Sequence, residues 1–220
     1  MAATPLSESP SSGSAKIEPR ARARAARRIA LLETAEQVFA ERGFTGATMA
    51  EIASRAGYSA GNLYNVFEGK DALFEEILAT RGDEVLELVR NVIRSGETLG
   101  QIVDAYVIAS LELVEKYRGF FVLLSEAAPD FDWHGEPSNA RGVHLRKQLD
   151  DSLDKMFLDA MDRGELPRGN PRAYSCLLHG TLNSHISYWV RNNGDRDDLW
   201  GSASDLRLLL RRGMGLSAEA

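Results

Sequence analysis

Five arginines fall within nine residues, Arg20-Ala-Arg22-Ala-Arg24-Ala-Ala-Arg27-Arg28, and no acid interrupts them. Guanidinium groups at this density suit a polyanion, because each can neutralise a phosphate and release its counterion. The segment fits two readings: a solvated, partly helical lead-in, or an arm that tracks a phosphate backbone or enters an adjacent minor groove. Twenty residues on, Thr48-Met-Ala-Glu51 has the form of a capping box, in which a hydroxyl and a carboxylate satisfy each other's backbone amides. Ser59 offers a second N-cap, and Ala60-Gly-Asn-Leu-Tyr64 follows it.

Other reactive side chains do not assemble into a catalytic pattern. His134, His144, His179 and His185 are the only histidines and Cys176 the only cysteine, which excludes an intrachain disulfide framework and a multi-cysteine zinc site. Cys176 and His179 are three residues apart on a helical pattern, but two ligands do not make a metal site, and packing explains His179 more simply. Asp150, Asp151 and Asp154 read as a solvated helix face. There is no Ser/His/Asp order, phosphate-cradling glycine loop or paired-carboxylate motif. The expectation is therefore no metal, no cofactor and no enzymatic activity.

The positioning elements are helical. Ile29, Leu32, Ala35, Val38 and Phe39 recur at spacings of three and four and stop at Gly43. Leu99 to Tyr117, Leu149 to Ala160 and Tyr174 to Ile186 repeat the pattern, and a last helix runs through Leu199, Leu206, Leu209 and Leu210. Lys70 to Arg94 reads as one or two helices without a linker. No segment alternates with period two between hairpin turns, so the predicted fold class is all-α. A first short helix ends at Ala56-Gly57 and a second opens at Ser59, the spacing of a helix-turn-helix. Ala53 is small enough for a close helix crossing, Gly57 suits a positive φ, and Leu63 points back as the second helix's core anchor.

Charge divides along the chain. Of 220 residues, 32 are acidic and 26 are Lys or Arg, a formal net charge of −6. Residues 1–70 nevertheless carry +2 and residues 71–220 carry −8. An acidic total thus leaves a basic approach to the helix-turn-helix intact. The longest clean apolar run, Phe120 to Leu124, is too short to span a bilayer. Residues 1–19 are rich in Ser and Pro and are expected to be disordered, with no secretory signal. Glu33 and Glu36 soon after Arg27-Arg28 argue against a twin-arginine export signal, so a cytoplasmic location is expected.

The stretch Ala35 to Phe74, which holds Thr48-Met-Ala-Glu-Ile-Ala-Ser-Arg-Ala-Gly57 and Tyr58-Ser-Ala-Gly-Asn-Leu-Tyr-Asn-Val-Phe67, resembles the tetracycline-repressor (TetR) family of one-component transcription regulators. The resemblance covers roughly the N-terminal third and runs in order and spacing through three helices into a fourth. It implies a DNA-binding domain over 20–69 and a larger helical ligand-binding and dimerisation domain over 70–220. It implies that Ser59, Ala60, Gly61 and Asn62 face the major groove, with Asn62 able to pair bidentately with adenine. Thr48, Tyr64 and Lys70 are implied phosphate contacts, joined by Arg22, Arg24 and Arg27 of the arm. Asn65 and Val66 depart from the Tyr or His common at these positions; Asn65 still reaches a phosphate or base edge, whereas Val66 is expected to pack into the domain. Phe67 and Phe74 are expected in the core.

The same resemblance implies an effector pocket, for which Tyr106, Leu113, Phe120, Phe121, Trp133, His144, Met156 and Phe157 are the large candidate residues. A loop at 129–137 would gate it. The last helices, through Leu182, Ile186, Trp189, Leu199, Leu206 and Leu209, are expected to form a two-fold four-helix interface. The resulting expectation is a homodimeric repressor on a palindromic double-stranded operator, released by an unidentified small molecule. Two alternatives stand beside it: a regulator or activator without an inducer, and an all-α enzyme or carrier using the helix-turn-helix for protein contacts. The Arg-rich approach and the lack of a catalytic constellation weigh against the second.

Overall fold

The computed structural model describes residues 19–127, 140–192 and 196–216, and every regular element among them is an α-helix. Helix α1 (Pro19–Gly46) is interrupted at Gly43, whose φ of 70° and ψ of 164° are not helical. Its buried stripe is Leu31, Leu32, Ala35, Val38 and Phe39. Ile29, expected in that stripe, is exposed instead. Residues 21–27 are all exposed, so α1 overhangs the packed body and Ile29 sits at the edge of that overhang. The expectation for 1–19 as a disordered extension concerns residues that lie, up to Glu18, outside those described.

Helices α2 (Met49–Arg55) and α3 (Ala60–Tyr64) follow, and the turn between them holds Gly57 at φ 74°. A non-glycine residue in this left-handed region is strained by roughly 1–2 kcal/mol. Helix α4 (Lys70–Ser95) is one unbroken helix of 26 residues that leads from the helix-turn-helix into the larger body. Helix α5 (Leu99–Lys116) opens with a full capping box, Thr98 accepting from the Gln101 amide while Gln101 accepts from the Thr98 amide. Then come α6 (Arg118–Ala127), α7 (Ala140–Asp162) and α8 (Pro171–Arg191). The single terminal helix expected from the leucine spacing is two, α9 (Arg196–Gly201) and α10 (Ala203–Gly213). At the break between them the Trp200 indole donates to Glu115 of α5 at 2.9 Å, and Ser202 meets His185 of α8 at 3.0 Å.

One contiguous apolar cluster runs from α1 through α10. Helix α7 packs on α4 and α8, and α5 lies against α4, α8 and α10. Helix α6 packs on α1 as well as α8, so α1 is held by more than its helix-turn-helix partners. The approach of α6 to α1 is close: a Cβ on Gly119 would stand 3.0 Å from the Ala40 Cβ. No helix among the described residues is long and apolar enough to cross a membrane.

Candidate nucleic-acid interface and effector core

Both expected caps open the helices of the helix-turn-helix. The Glu51 amide donates to the Thr48 hydroxyl at 3.1 Å, and the Asn62 amide to the Ser59 hydroxyl at 3.2 Å. The reciprocal half of the Thr48 box is replaced. Glu51 turns outward to Arg42 at 3.2 Å and Arg55 at 2.9 Å, because two guanidinium groups attract its carboxylate more than one amide does. Arg55 also donates to Glu41 at 2.6 Å, and that bond is the main reason its pKa is raised. Behind these helices lie Ile52, Ala53 and Leu63, all buried, with Phe67 beside them. Phe44 bridges Phe39 and Phe74 with ring centroids 5.4 Å away on each side.

The outward face of α3 is set by the same register. Gly61, Asn62, Tyr64 and Asn65 are exposed, as is Ser59, and Ala60 is partly so. Val66 is 51% exposed, which corrects the expectation that it packs into the domain. Leu63 and Phe67 already fill the inward positions, leaving Val66 on the outer side. Lys70 is committed locally: its ammonium donates to the Phe44 carbonyl at 2.8 Å and the Thr45 carbonyl at 3.2 Å, tying the start of α4 to the end of α1. The arm is an overhanging helix. Arg22, Arg24 and Arg27 are exposed on it, whereas Arg28 is an anchor, 3.2 Å from Glu76 and 4.8 Å from the Phe67 ring centre.

Above this unit, Arg81 of α4 is buried against Glu36 of α1, donating from Nε at 3.0 Å and from a second nitrogen to the other carboxylate oxygen. It also donates to Glu84 at 2.7 Å and stacks on Tyr117, 3.8 Å from the ring centre. Burial works against its charge, but the bonds and charges of Glu36 and Glu84 outweigh it and raise its pKa. One guanidinium thus joins α1, α4 and the α5–α6 junction.

The expected effector residues divide three ways. Tyr106, Phe120, Phe121, Met156 and Phe157 are buried in the common cluster, and Leu113 is partly buried. His144 is exposed, which corrects its placement in a pocket lining: it lies in the outer row of α7, beside exposed Val143 and Lys147. Trp133 and the 129–137 loop lie outside the described residues. Tyr106 and His179 share a buried hydrogen bond of 2.7 Å. Burial foremost, and then the charge of Asp150, raise the Tyr106 pKa and keep its phenol neutral. Asp150 and Asp154 are not a solvated face, since Arg172 binds them at 2.8 and 2.7 Å and Ser175 donates to Asp154 at 2.7 Å. Cys176 is exposed while His179 is buried, so the two do not converge.

A sequence profile of the bacterial regulatory proteins, tetR family, matches residues 31–77. The transcriptional activator FasR of Mycolicibacterium smegmatis is 37% identical over 193 residues, 83% of this chain and 85% of that protein. This chain belongs to the tetR family. The transcriptional repressor KstR2 of Rhodococcus jostii is 35% identical over 89 residues; that match spans 40% of this chain and less than half, 44%, of the relative. The crystal structure of the transcriptional regulator FadR of Bacillus subtilis in complex with stearoyl-CoA shares the fold, with a TM-score of 0.69 at 19% identity over 83% of this chain and 96% of that one.

As a tetR-family protein the chain is a transcriptional regulator, and the helix-turn-helix is its candidate DNA-reading unit. The expected dimer residues occupy unexpected positions. Leu182, Ile186, Trp189, Leu199 and Leu206 are buried within the single chain, where they complete its own core. Of the six, Leu209 alone is exposed, at 63%. The apolar side chains that α8 and α10 do present outward are Leu177, Tyr188, Leu208 and Leu209. The periodicity of these helices marks the rows facing inward; the outer rows carry too few apolar residues to register as a stripe. Glu36 and Arg81 give no sequence signal for a related reason. Each reads as a polar break in an apolar pattern, and only the fold brings them together across 45 residues.

Proposed function

We propose that the chain acts as a homodimeric repressor that leaves its operator when an acyl thioester enters the larger domain. The single observation carrying this reading is the placement of α4. At one end Lys70 fixes it to the end of α1, and midway Arg81 ties it to α1 and Tyr117, beside the apolar core. A ligand that repacks that core changes the setting of α4 and hence the separation of two recognition helices. The stearoyl-CoA bound by the FadR neighbour supports an acyl thioester as the ligand class.

In this reading the DNA-binding unit is 20–69 and the effector and dimer unit 70–220. Ser59, Ala60, Gly61 and Asn62 approach base edges, Asn62 reading adenine. Thr48, Tyr64 and Asn65 contact the backbone with Lys70, and Arg22, Arg24 and Arg27 add phosphate contacts from the arm. The two-fold interface uses Leu209 with Tyr188 and Leu177. A regulator of this kind acts on cytoplasmic DNA and needs no catalysis of its own. Fluorescence anisotropy with duplex DNA from upstream of its own gene tests the reading. Salt-sensitive, sequence-selective binding that stearoyl-CoA reverses is expected; binding that it leaves unchanged counts against the effector class.

A second reading keeps the fold and ligand but reverses the sign. The relative covering most of this chain at 37% identity is an activator. Mapping the bound DNA relative to the promoter separates the two, since an operator overlapping the promoter fits repression and one upstream of it fits activation.

A further inference from the structure

Helix α8 turns three polar side chains inward, Ser175, His179 and Asn183. His179 and Asn183 are four residues apart and therefore share one face, a turn apart. Both are buried, Asn183 to 8% exposure. His179 bonds Tyr106 of α5 at 2.7 Å. Leu178, Leu182 and Ile186 on the neighbouring rows belong to the apolar cluster that contains Phe120, Phe121, Met156 and Phe157. Asn183 thus projects from a helix whose inward rows pack against α5, α6 and α7.

Its amide nitrogen Nδ2 is wholly buried and has no hydrogen-bond partner. Buried side-chain donors are paired in the large majority of folded proteins, and an unpaired one points to a missing partner. A leucine at this position would carry no such cost, so the amide marks a place where an acceptor belongs. The acceptor is best neutral. A carboxylate here would lose its hydration among apolar walls. The neutral carbonyl oxygen at the head of an acyl chain meets that condition.

We propose that Asn183 donates its Nδ2 hydrogen to the thioester carbonyl of the effector, with the acyl chain lying against Phe120, Phe121, Met156 and Phe157. The Tyr106–His179 pair forms the polar border beside that carbonyl. This assignment rests on the acyl-thioester reading above and adds its point of recognition.

Calorimetry on the full chain with two probes tests it: stearoyl-CoA, and S-octadecyl-CoA, the thioether of equal chain length without the carbonyl. The wild-type protein is expected to bind the thioester about tenfold more tightly, the order of one hydrogen bond to a buried donor. Asn183→Leu is expected to bind both probes alike, at about the thioether affinity, and to melt no lower than wild type. Equal binding of the two probes by the wild-type chain overturns the assignment while sparing the acyl-thioester reading, and needs no variant to fold. Undiminished discrimination by Asn183→Leu likewise overturns it, leaving the amide to a buried water. Binding of neither probe overturns the acyl-thioester reading and the assignment with it.

Discussion

Arg81 and Glu36 form a two-point buried ion pair that joins α4 to α1. Removing one partner leaves an uncompensated buried charge. Arg81→Met or Glu36→Leu alone is expected to cost about 3–5 kcal/mol, while the double replacement recovers most of it. Denaturant titration of the three variants measures this. The double variant is also expected to loosen the coupling between effector and operator, seen as a smaller change in DNA affinity on adding stearoyl-CoA.

The arginine overhang separates binding from folding. Replacing Arg22, Arg24 and Arg27 together by Gln is expected to leave the melting temperature unchanged, because all three side chains are exposed on an unsupported part of α1. It should flatten the slope of log affinity against log salt by about 0.9 for each phosphate that is no longer neutralised. Arg28→Gln is expected to do the opposite, lowering stability by removing the ion pair to Glu76 and the stacking on Phe67, with a smaller effect on the slope.

The two kinds of leucine on α10 make contrasting predictions. Leu209→Glu places charge on an exposed apolar side chain and should shift the protein toward monomer in sedimentation without lowering protomer stability. Leu206→Ala opens a cavity in the chain's own core and should cost about 2–5 kcal/mol.

Asp104 gives a pH test. Burial alone raises its pKa, but hydrogen bonds and charges from Arg207 and Arg211 outweigh this and hold it below the ordinary carboxylate value. A carboxylate depressed in the folded state contributes stability that is full above the unfolded value, near ~3.9, and lost as pH falls through the folded one. The melting difference between wild type and Asp104→Asn should therefore be largest at neutral pH and shrink below about pH 4.

The reading unit is legible in the sequence because its signals are local. Two N-caps, a glycine in the turn and Leu63 as anchor all lie between Thr48 and Leu63, and each imposes its geometry on its neighbours. Val66 is not legible in the same way, because its exposure depends on Leu63 and Phe67 already filling the inner positions. The interface residues differ for another reason. Spacing tells which residues of a helix share a row but not whether that row faces the same chain or another, so Leu182 and Leu206 fit an outward stripe by spacing and yet pack inward. Glu36 as the partner of Arg81, and the partners of Asp104 and Glu115, come from helices distant in sequence, and no pattern within one helix announces them.

The Lys70 ammonium, clamped on the carbonyls of Phe44 and Thr45, has a mechanical consequence. It couples the end of α1 to the first turn of α4, so the reading head travels with α4 instead of trailing it. Between Lys70 and Arg81 the helix extends about 16 Å at its ~1.5 Å rise per residue. Taking Arg81 as the fulcrum, a tilt of about 10° displaces the head by about 3 Å, close to the ~3.4 Å rise of one base pair. In the proposed dimer, an interior rearrangement of that size would take each head out of register with its half-site by nearly a whole step of the duplex.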